Sequence, residues 1–175
     1  MGMPQAAVAF SFEDYLDWED EQLEKHELVR GETFAMAGAR RVHVTVSGNL
    51  FAALKNHLRG SSCRAYIADM KLRVKQADAA FYPDVMVTCN PRDHAADQFL
   101  SHPVLVVEIL SDSTAAYDRG DKFADYRKLP SLQEYAMVDI EARRVECFRR
   151  NAENHWVLYD YAEGDCHFAS VSLSL

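Results

Sequence analysis

One apolar segment that contains an acid constrains the fold of this chain more than any other feature. Residues 104–110 read Val-Leu-Val-Val-Glu-Ile-Leu, which is apolar at both parities and rich in β-branched side chains. That pattern is typical of a β-strand covered on both faces. Glu108 lies inside the segment, and an ionised carboxylate is costly to bury without a cation, a metal ion or a proton beside it. The segment therefore predicts a buried strand and marks Glu108 as a candidate functional residue.

Helical spacing of apolar residues predicts helices in three parts of the chain. The first helix follows Ser11, an N-cap residue with Asp14 at the capping-box position, and its apolar side chains extend to Leu23. The second spans roughly residues 42–58, where Gly60 supplies a C-terminal stop. The third spans residues 118–129 and is closed by Pro130.

Alternating or continuously apolar segments predict the strands. They lie at 27–36, as a hairpin turning at Arg30-Gly31, at 66–75, 81–88, 104–110, 134–139 and 144–149, and in a last hairpin formed by 155–161 and 167–173. Helices and strands do not alternate regularly along the chain. Their order predicts an α/β (α+β) fold in which a central mixed β-sheet is flanked by helices.

Length and composition fit one ordinary domain. The chain of 175 residues can form a single domain over residues 1–175, with residues 1–9 as a loose tail. Its apolar segments are shorter than the ~20 residues that cross a bilayer, and we find no secretory signal, so we expect a cytoplasmic protein. The cysteines, at positions 63, 89, 147 and 166, form no CxxC pair, which argues against structural zinc. Reduced thiols are the expectation, with one or two disulfides as the alternative.

The net charge of −8 is an objection to nucleic-acid binding, because proteins that neutralise phosphates are usually basic. No interleaving of aromatic and basic residues predicts base stacking. A DNA substrate would need a local positive field, from a bound metal ion or from a symmetric dimer that gathers basic faces. Adjacent arginines that could contact phosphates occur at Arg40-Arg41, Arg143-Arg144 and Arg149-Arg150.

Asp84 provides a second strand-borne acid. It follows Pro83 and opens the apolar segment 85–87. Hydrolysis of a phosphodiester needs a Lewis acid and a nucleophile made from water, and Mg²⁺ supplies both while preferring carboxylate oxygens and waters. Asp84 and Glu108 on neighbouring strands therefore predict a Mg²⁺ site. The structural alternative is that Asp84 caps a turn and that Glu108 pairs with Lys122 or an arginine.

Lys122 is the candidate catalytic cation. Asp118, Lys122 and Tyr126 fall on one face of the third predicted helix. A lysine there could stabilise negative charge that develops on the scissile phosphate, or orient the attacking water. The alternative is that Asp118 and Lys122 form an ordinary solvated pair on the helix surface.

Glu27 and His43 are supporting candidates. Glu27 lies in the first strand of the hairpin and His43 at the start of the long helix, where either could be an outer metal ligand or a water-positioning group. They could equally be a surface carboxylate and a helix-start histidine. One further strand face could form a phosphate-binding edge or be merely solvated, and its residues are Asp69, Lys71, Arg73 and Lys75.

A set of stretches, taken in order, carries a family resemblance. They are Glu27-Leu28-Val29-Arg30-Gly31-Glu32, Ala35-Met36-Ala37-Gly38 followed by His43, Pro83-Asp84-Val85, Val106-Val107-Glu108-Ile109-Leu110-Ser111, Asp118 with Lys122 and Tyr126, and Glu134-Tyr135 with Val138-Asp139. Together they resemble the Uma-type endonuclease family of the PD-(D/E)XK restriction-endonuclease-like superfamily, over roughly residues 12–161.

The resemblance implies a central mixed sheet flanked by helices, a site at one sheet edge, a Mg²⁺ or Mn²⁺ ion and a DNA-like substrate. Asp84 matches the aspartate of the Pro-Asp motif, and Glu108 matches the acid of the next motif. The chain departs from the superfamily pattern two residues later, where Leu110 stands in place of lysine. Lys122 would then be the lysine, supplied from the helix.

Three functions remain open at this point. The first is a metal-dependent nuclease in which Asp84 and Glu108 hold the ion, Lys122 assists the attacking water, and Glu27 or His43 supports them. The second is a non-catalytic binding or scaffold protein on the nuclease fold, which the acidic surface favours. The third is a metal-dependent hydrolase that acts on a small phosphate ester.

Overall fold

The computed structural model describes residues 9–175, so the predicted tail over residues 1–9 lies outside the described residues except for Ala9. The helices are α1 (Phe12–Glu19), α2 (Arg41–His57), α3 (Pro91–Ala95), α4 (Ala115–Arg119) and α5 (Asp121–Tyr126). The strands are β1 (His26–Val29), β2 (Glu32–Ala35), β3 (Arg64–Ile67), β4 (Lys71–Val74), β5 (Ala79–Phe81), β6 (Val85–Thr88), β7 (Phe99–Leu100), β8 (Pro103–Ile109), β9 (Glu134–Asp139), β10 (Arg144–Arg150), β11 (Trp156–Tyr161), β12 (His167–Phe168) and β13 (Leu173–Ser174). Over residues 9–175, no helix combines the length and the apolar character needed to cross a membrane.

The strands form two larger sheets and one small ribbon. The six-stranded sheet has the order β11-β10-β9-β8-β6-β3, and the five-stranded sheet has the order β2-β1-β5-β4-β7. Both are mixed, because β8 pairs with β9 and β4 pairs with β7 in parallel while the other neighbours are antiparallel. The predicted α/β (α+β) class with a mixed sheet and flanking helices is confirmed, although the strands divide between two sheets.

The six-stranded sheet is covered on both faces, which explains why β8 is apolar at both parities. Leu105 and Val107 pack in one cluster with α2. Val106 packs on the opposite face with Tyr126 of α5 and with residues of the five-stranded sheet. Because side chains alternate along a strand, Glu108 projects from the same face as Val106. The fold therefore directs Glu108 toward α5 and the second sheet.

Two of the predicted strands are interrupted where the chain crosses between sheets. The segment 66–75 bends at Ala68, whose φ is 46°, so that β3 pairs with β6 in one sheet and β4 pairs with β5 in the other. The segment 81–88 is broken at residues 82–84, between β5 and β6. The prediction of continuous strands is wrong here. Residues on both sides of each bend are buried, each side in a different sheet, so the apolar pattern continues across the bend although the strand does not. The second crossing carries Asp84 to the junction of the two sheets.

The predicted helix over 118–129 is divided. Gly120 has φ −109° and ψ −102°, outside the helical region, so it ends α4 and begins α5, which itself ends at Tyr126. Asp118 and Lys122 therefore lie on different helices, contrary to the prediction of one continuous helix. Their side chains still face each other, with Lys122 Nζ 3.8 Å from Asp118 Oδ1. The first helix is also shorter than predicted: Leu23 is fully exposed beyond its end, because it is the one apolar residue in the polar run 20–25.

The helix start and the first hairpin are confirmed. The Asp14 amide donates to Ser11 Oγ over 3.1 Å, which caps α1. Strands β1 and β2 turn at Arg30 and Gly31, with φ values of 51° and 82°. The last hairpin is wrong, because β11 pairs with β10 while β12 pairs with β13. The segment 155–161 pairs with β10, which precedes it, and the segment 167–173 folds back so that β12 pairs with β13.

The cysteines divide into two pairs. Cys147 and Cys166 are free and buried, as expected of reduced thiols. Cys63 and Cys89 form a disulfide, so the expectation of reduced thiols is wrong for this pair. They flank the paired strands β3 and β6, whose antiparallel register brings them opposite each other. The disulfide thus ties the edge strand β3 to its neighbour.

Candidate functional site

The structure brings the five predicted site residues into one network at the junction of the two sheets. They come from five separate parts of the fold: Glu27 lies on β1, His43 in the first turn of α2, Asp84 just before β6, Glu108 on β8 and Lys122 on α5. The register of β6 and β8, with Val85 opposite Val107, places Asp84 beside Glu108. The structure thus places side chains from separate segments side by side, and their roles stay predictions.

Lys122 lies at the centre of the network. Its Nζ is 3.0 Å from Glu108 Oε1, 3.0 Å from Glu27 Oε1 and 3.8 Å from Asp118 Oδ1. Glu27 Oε1 accepts no hydrogen bond of good geometry from residues 9–175, so its contact with Lys122 is one of charge. The Lys122 side chain is 7% exposed, which excludes the alternative of a solvated surface pair with Asp118.

Glu108 is held by partners on both of its oxygens. The Tyr126 hydroxyl donates to Oε1 over 2.7 Å, and the same oxygen faces Lys122. The Asp84 amide approaches Oε2 at 3.4 Å, a long contact that leaves this oxygen only weakly engaged. Tyr126 and Lys122 both come from α5, so this short helix fixes the orientation of the glutamate. Glu108 therefore pairs with Lys122, as the structural alternative for this residue predicts.

Asp84 and His43 form the outer, partly exposed part of the network. Asp84 Oδ2 accepts from the Ile109 amide over 2.7 Å and lies 3.3 Å from His43 Nε2. The neighbouring Asp84 carboxylate raises the pKa of His43 above its ordinary value, although partial burial works against it. No hydrogen bond from residues 9–175 reaches the other carboxylate oxygen of Asp84. That oxygen remains available to a ligand from solvent.

The network contains more acid than base. The carboxyl groups of Glu27, Glu108 and Asp118 surround the ammonium group of Lys122, and Asp84 lies beside Glu108. Burial raises the pKa of Glu108, Lys122 opposes that rise, and the neighbouring acids add to it. Burial alone would lower the pKa of Lys122, but Glu108 and Glu27 raise it overall, so the lysine stays charged. Such a surplus of buried acid favours binding of a proton or a further cation.

The donor set fits an ion that needs few protein ligands. Over residues 9–175, no group of three or more His, Cys, Asp or Glu side chains is arranged to hold a metal ion. Mg²⁺ is commonly held by one or two carboxylates, with waters completing its octahedron. Asp84 has one uncommitted oxygen, and Glu108 Oε2 has only a long contact. The residues present therefore fit Mg²⁺ or Mn²⁺ and do not fit a closed, all-protein metal cage.

The predicted phosphate-binding face is not part of this network. Asp69 lies in the bend between β3 and β4 and pairs with Lys25, while Lys71 pairs with Asp20. Two arginines of the predicted clusters form ion pairs elsewhere: Arg144 pairs with Asp160, and Arg149 pairs with Glu134. Arg40 and Arg41, exposed at the start of α2, form no ion pair with any residue between 9 and 175.

Sequence reasoning missed two hydrogen bonds that hold the site together. The Tyr126 hydroxyl and the Ile109 amide hold the two acids. The helical spacing places Tyr126 on the face of Lys122 but does not indicate its bond to Glu108, and the Ile109 amide has no signal in the sequence. Sequence reasoning also passed over Phe34, which stands directly opposite Glu27 in the register of β1 and β2. This one could have been found, because a turn at Arg30-Gly31 already places residues 27 and 34 opposite each other.

Comparisons with known proteins agree with this architecture. The family model described as Uma2, "Putative restriction endonuclease", matches residues 12–173. The chain is 39% identical over 163 residues to the Synechocystis protein slr1290, covering 93% of this chain and 86% of that protein. It is 34% identical over 147 residues to the Synechocystis protein sll1609, covering 83% of each. Both relatives are described as uncharacterized.

A solved structure shares the fold. It is the crystal structure from Anabaena variabilis of "a putative nuclease belonging to DUF820". It matches with a TM-score of 0.76 at 16% identity and covers 93% of this chain and 91% of that chain. At this identity the likeness shows the fold alone.

Proposed function

Since the chain belongs to the Uma2 family, whose description is that of a restriction endonuclease, we propose that it is a nuclease that hydrolyses phosphodiester bonds in DNA with Mg²⁺ or Mn²⁺. One observation carries the proposal. The lysine that is absent at position 110 is supplied from α5, where Lys122 Nζ lies 3.0 Å from Glu108. The site thus contains the two acids and the cation that hydrolysis needs.

Asp84 and Glu108 are the residues that would hold the ion. When bound, Mg²⁺ acts as a Lewis acid that offsets negative charge on the phosphoryl oxygens. Tyr126 and Lys122 hold Glu108 Oε1, which directs Oε2 toward Asp84. His43 and the Ile109 amide hold Asp84 Oδ2, which leaves its second oxygen free. The chain therefore orients one oxygen of each acid for the ion.

Lys122 supplies the positive charge of the chain itself. Its neighbours keep it protonated, so it acts as a fixed charge and as a hydrogen-bond donor rather than as a base. An ammonium group in this position stabilises the negative charge that develops on the phosphate and orients the water that attacks it. Glu27 holds the lysine from the five-stranded sheet, opposite Glu108 on the six-stranded sheet.

Cleavage of supercoiled plasmid and of single-stranded DNA with Mg²⁺, Mn²⁺ or EDTA tests the proposal. Glu108→Gln should lower the cleavage rate about 100-fold or more, since it removes charge at the reacting centre. Glu153→Gln makes the same substitution in the exposed turn between β10 and β11 and should leave the rate unchanged. Cleavage by the Glu108→Gln protein at the parent rate would exclude this site.

We propose further that two copies act together as a homodimer. A chain with a net charge of −8 offers DNA little positive surface, and the exposed Arg40 and Arg41 lie at one end of α2. A two-fold axis would set two such pairs along one groove. Light scattering at the concentration used for cleavage measures the mass, and a monomer in the active fractions would contradict the dimer.

The alternative is a non-catalytic binding or scaffold protein on the same fold. The observation that favours it is the burial of Lys122, which three carboxylates share as in a structural ion network. Calorimetric titration with Mn²⁺ separates the two functions. Binding that is lost in Glu108→Gln supports the nuclease, whereas no binding in the millimolar range supports the scaffold.

A further inference from the structure

An exposed aromatic ring stands next to the charged network. Phe34 on β2 lies directly opposite Glu27 on β1 in the antiparallel register. Directly opposite residues project from the same face of a sheet, with their Cβ atoms about 5 Å apart. Glu27 contacts Lys122 from this face, so the Phe34 ring begins one side chain away from the lysine.

The Phe34 ring is open to solvent. It is 51% exposed, and β2 is an edge strand of the five-stranded sheet. Of the other aromatic residues near Lys122, Phe81 is buried against the ammonium group, Tyr126 is buried on Glu108, and Tyr117 is half-buried. The exposed ring of Tyr159, on the six-stranded sheet, is covered by the Arg149 guanidinium at 4.1 Å. In the part of the chain that the structure describes, Phe34 makes no such aromatic or cationic contact.

Positive charge lies beside this ring along the chain. The exposed segment after β2 leads to Arg40 and Arg41, whose side chains form no ion pair with residues 9–175. Two residues later, His43 contacts Asp84. A nucleic-acid strand whose phosphate reaches Asp84 and Glu108 would therefore lie near the Phe34 ring. The guanidinium groups of Arg40 and Arg41 would lie near the same strand.

We propose that Phe34 stacks on an unpaired nucleobase next to the scissile phosphate, so that the preferred substrate is single-stranded or locally unpaired DNA. This inference rests on the proposed nuclease function and names its substrate class. In an intact duplex the faces of the bases are covered by their neighbours, and a ring on a sheet edge cannot reach them. Stacking also supplies affinity that does not depend on charge, which suits a chain with a net charge of −8.

Binding measured apart from cleavage tests the inference. In the Glu108→Gln background, which prevents cleavage, fluorescence anisotropy compares a labelled single-stranded oligonucleotide with its duplex. Phe34→Ala should weaken single-strand binding about ten-fold, because stacking on one base is worth about 1–3 kcal/mol. Phe34→Trp should retain the affinity. Leu158→Ala removes a similarly exposed apolar side chain from β11 and should change nothing.

An oligonucleotide with abasic sites provides the control for stacking. On this probe, parent and Phe34→Ala proteins should bind equally, since no base is present to meet the ring. The inference is overturned if Phe34→Ala binds the normal single strand as tightly as the parent does. It is also overturned if the loss is equal on the abasic probe, if the parent prefers duplex, or if the parent binds neither.

The same experiments distinguish this inference from the function on which it rests. Plasmid cleavage by the unsubstituted chain reports on the nuclease proposal alone. If the unsubstituted chain cleaves DNA but Phe34→Ala binds the single strand as tightly as before, the protein is a nuclease that contacts its substrate through other residues. Size-exclusion chromatography of Phe34→Ala adds one further outcome: a changed mass with unchanged DNA affinity would assign the ring to contact between copies of the chain and overturn the inference.

Discussion

Glu108 and Glu134 are both buried glutamates, on the neighbouring parallel strands β8 and β9, and they differ in their partners. Glu134 accepts from the Ser170 amide over 2.6 Å, from the Ala169 amide over 3.1 Å and from Arg149 Nε over 2.9 Å. These three donors bind Glu134, and Arg149 forms its ion pair with no other carboxylate in the described residues. Glu108 shares Lys122 with two other carboxylates and receives one short hydrogen bond.

The same burial therefore has opposite consequences for the two acids. Burial works to raise the pKa of Glu134, but the hydrogen bonds from Ser170 and Arg149 outweigh it and hold that pKa below the ordinary value. Burial raises the pKa of Glu108, and Lys122 only partly opposes it. A buried acid on a strand is thus no marker of a site by itself. A fully satisfied carboxylate has nothing left to offer a ligand, whereas one in a surplus of acid does.

The largest difference between Glu108 and Glu134 should appear in the free energy of unfolding when the cation beside each glutamate is removed. Lys122→Met leaves several buried carboxylates without a counter-charge, and we expect it to lower the free energy of unfolding by about 3–5 kcal/mol. Arg149→Met is the matched control, and it should cost less because the amides of Ser170 and Ala169 still bind Glu134. Urea denaturation followed by circular dichroism measures both values.

An equal or greater loss from Arg149→Met would break the comparison. If Lys122→Met fails to fold, the double variant with Glu108→Gln provides the second measurement. It removes one of the stranded charges, so it should recover part of the lost stability. No recovery would mean that the lysine stabilises the fold through contacts other than its charge.

The sequence could identify Glu108 but not Glu134, and the reason is physical. Glu108 interrupts an apolar segment, so its cost is visible along the chain. Glu134 begins a strand, where an acid is ordinary, and its partners Ala169 and Ser170 come from a distant segment. The same limit applies to the bend at Ala68 and the break at Gly120. The local apolar pattern indicates which residues are buried, but it does not indicate which sheet or helix packs against them.

The parts of the fold and of the site that could be predicted followed from local signals. The hairpin turn at Arg30-Gly31, the N-cap at Ser11 and the apolar segment around Glu108 each depend on a few neighbouring residues, and the structure contains all of them. The contact between Lys122 and Glu27 depends on how two sheets meet under α5. No spacing within the chain encodes that meeting, so Glu27 could be named only as a supporting residue.

Replacing Glu134 itself should change the free energy of unfolding by a smaller amount than removing Lys122. Glu134→Gln loses charge-assisted hydrogen bonds and should cost about 1.5–3 kcal/mol at pH 7, with DNA cleavage unchanged. Because the folded pKa of Glu134 lies below the unfolded one, its contribution is complete above the unfolded pKa and is lost as pH falls through the folded pKa. The parent and the variant should therefore converge in stability in acid. A difference that persists unchanged in acid would contradict this assignment.

Tyr126 provides the smallest change and the most specific one. Tyr126→Phe removes the hydroxyl that donates to Glu108, and Tyr135→Phe removes one that donates to the Asp118 carbonyl over 3.0 Å. Both tyrosines are fully buried, so each variant should lose about 1 kcal/mol of stability. Only Tyr126→Phe should also weaken Mn²⁺ binding, by about ten-fold, because loss of a hydrogen bond behind a metal ligand typically has that effect. Equal Mn²⁺ affinities in the two variants would show that the Tyr126 hydroxyl stabilises the fold without orienting Glu108, and Glu108 would then resemble Glu134.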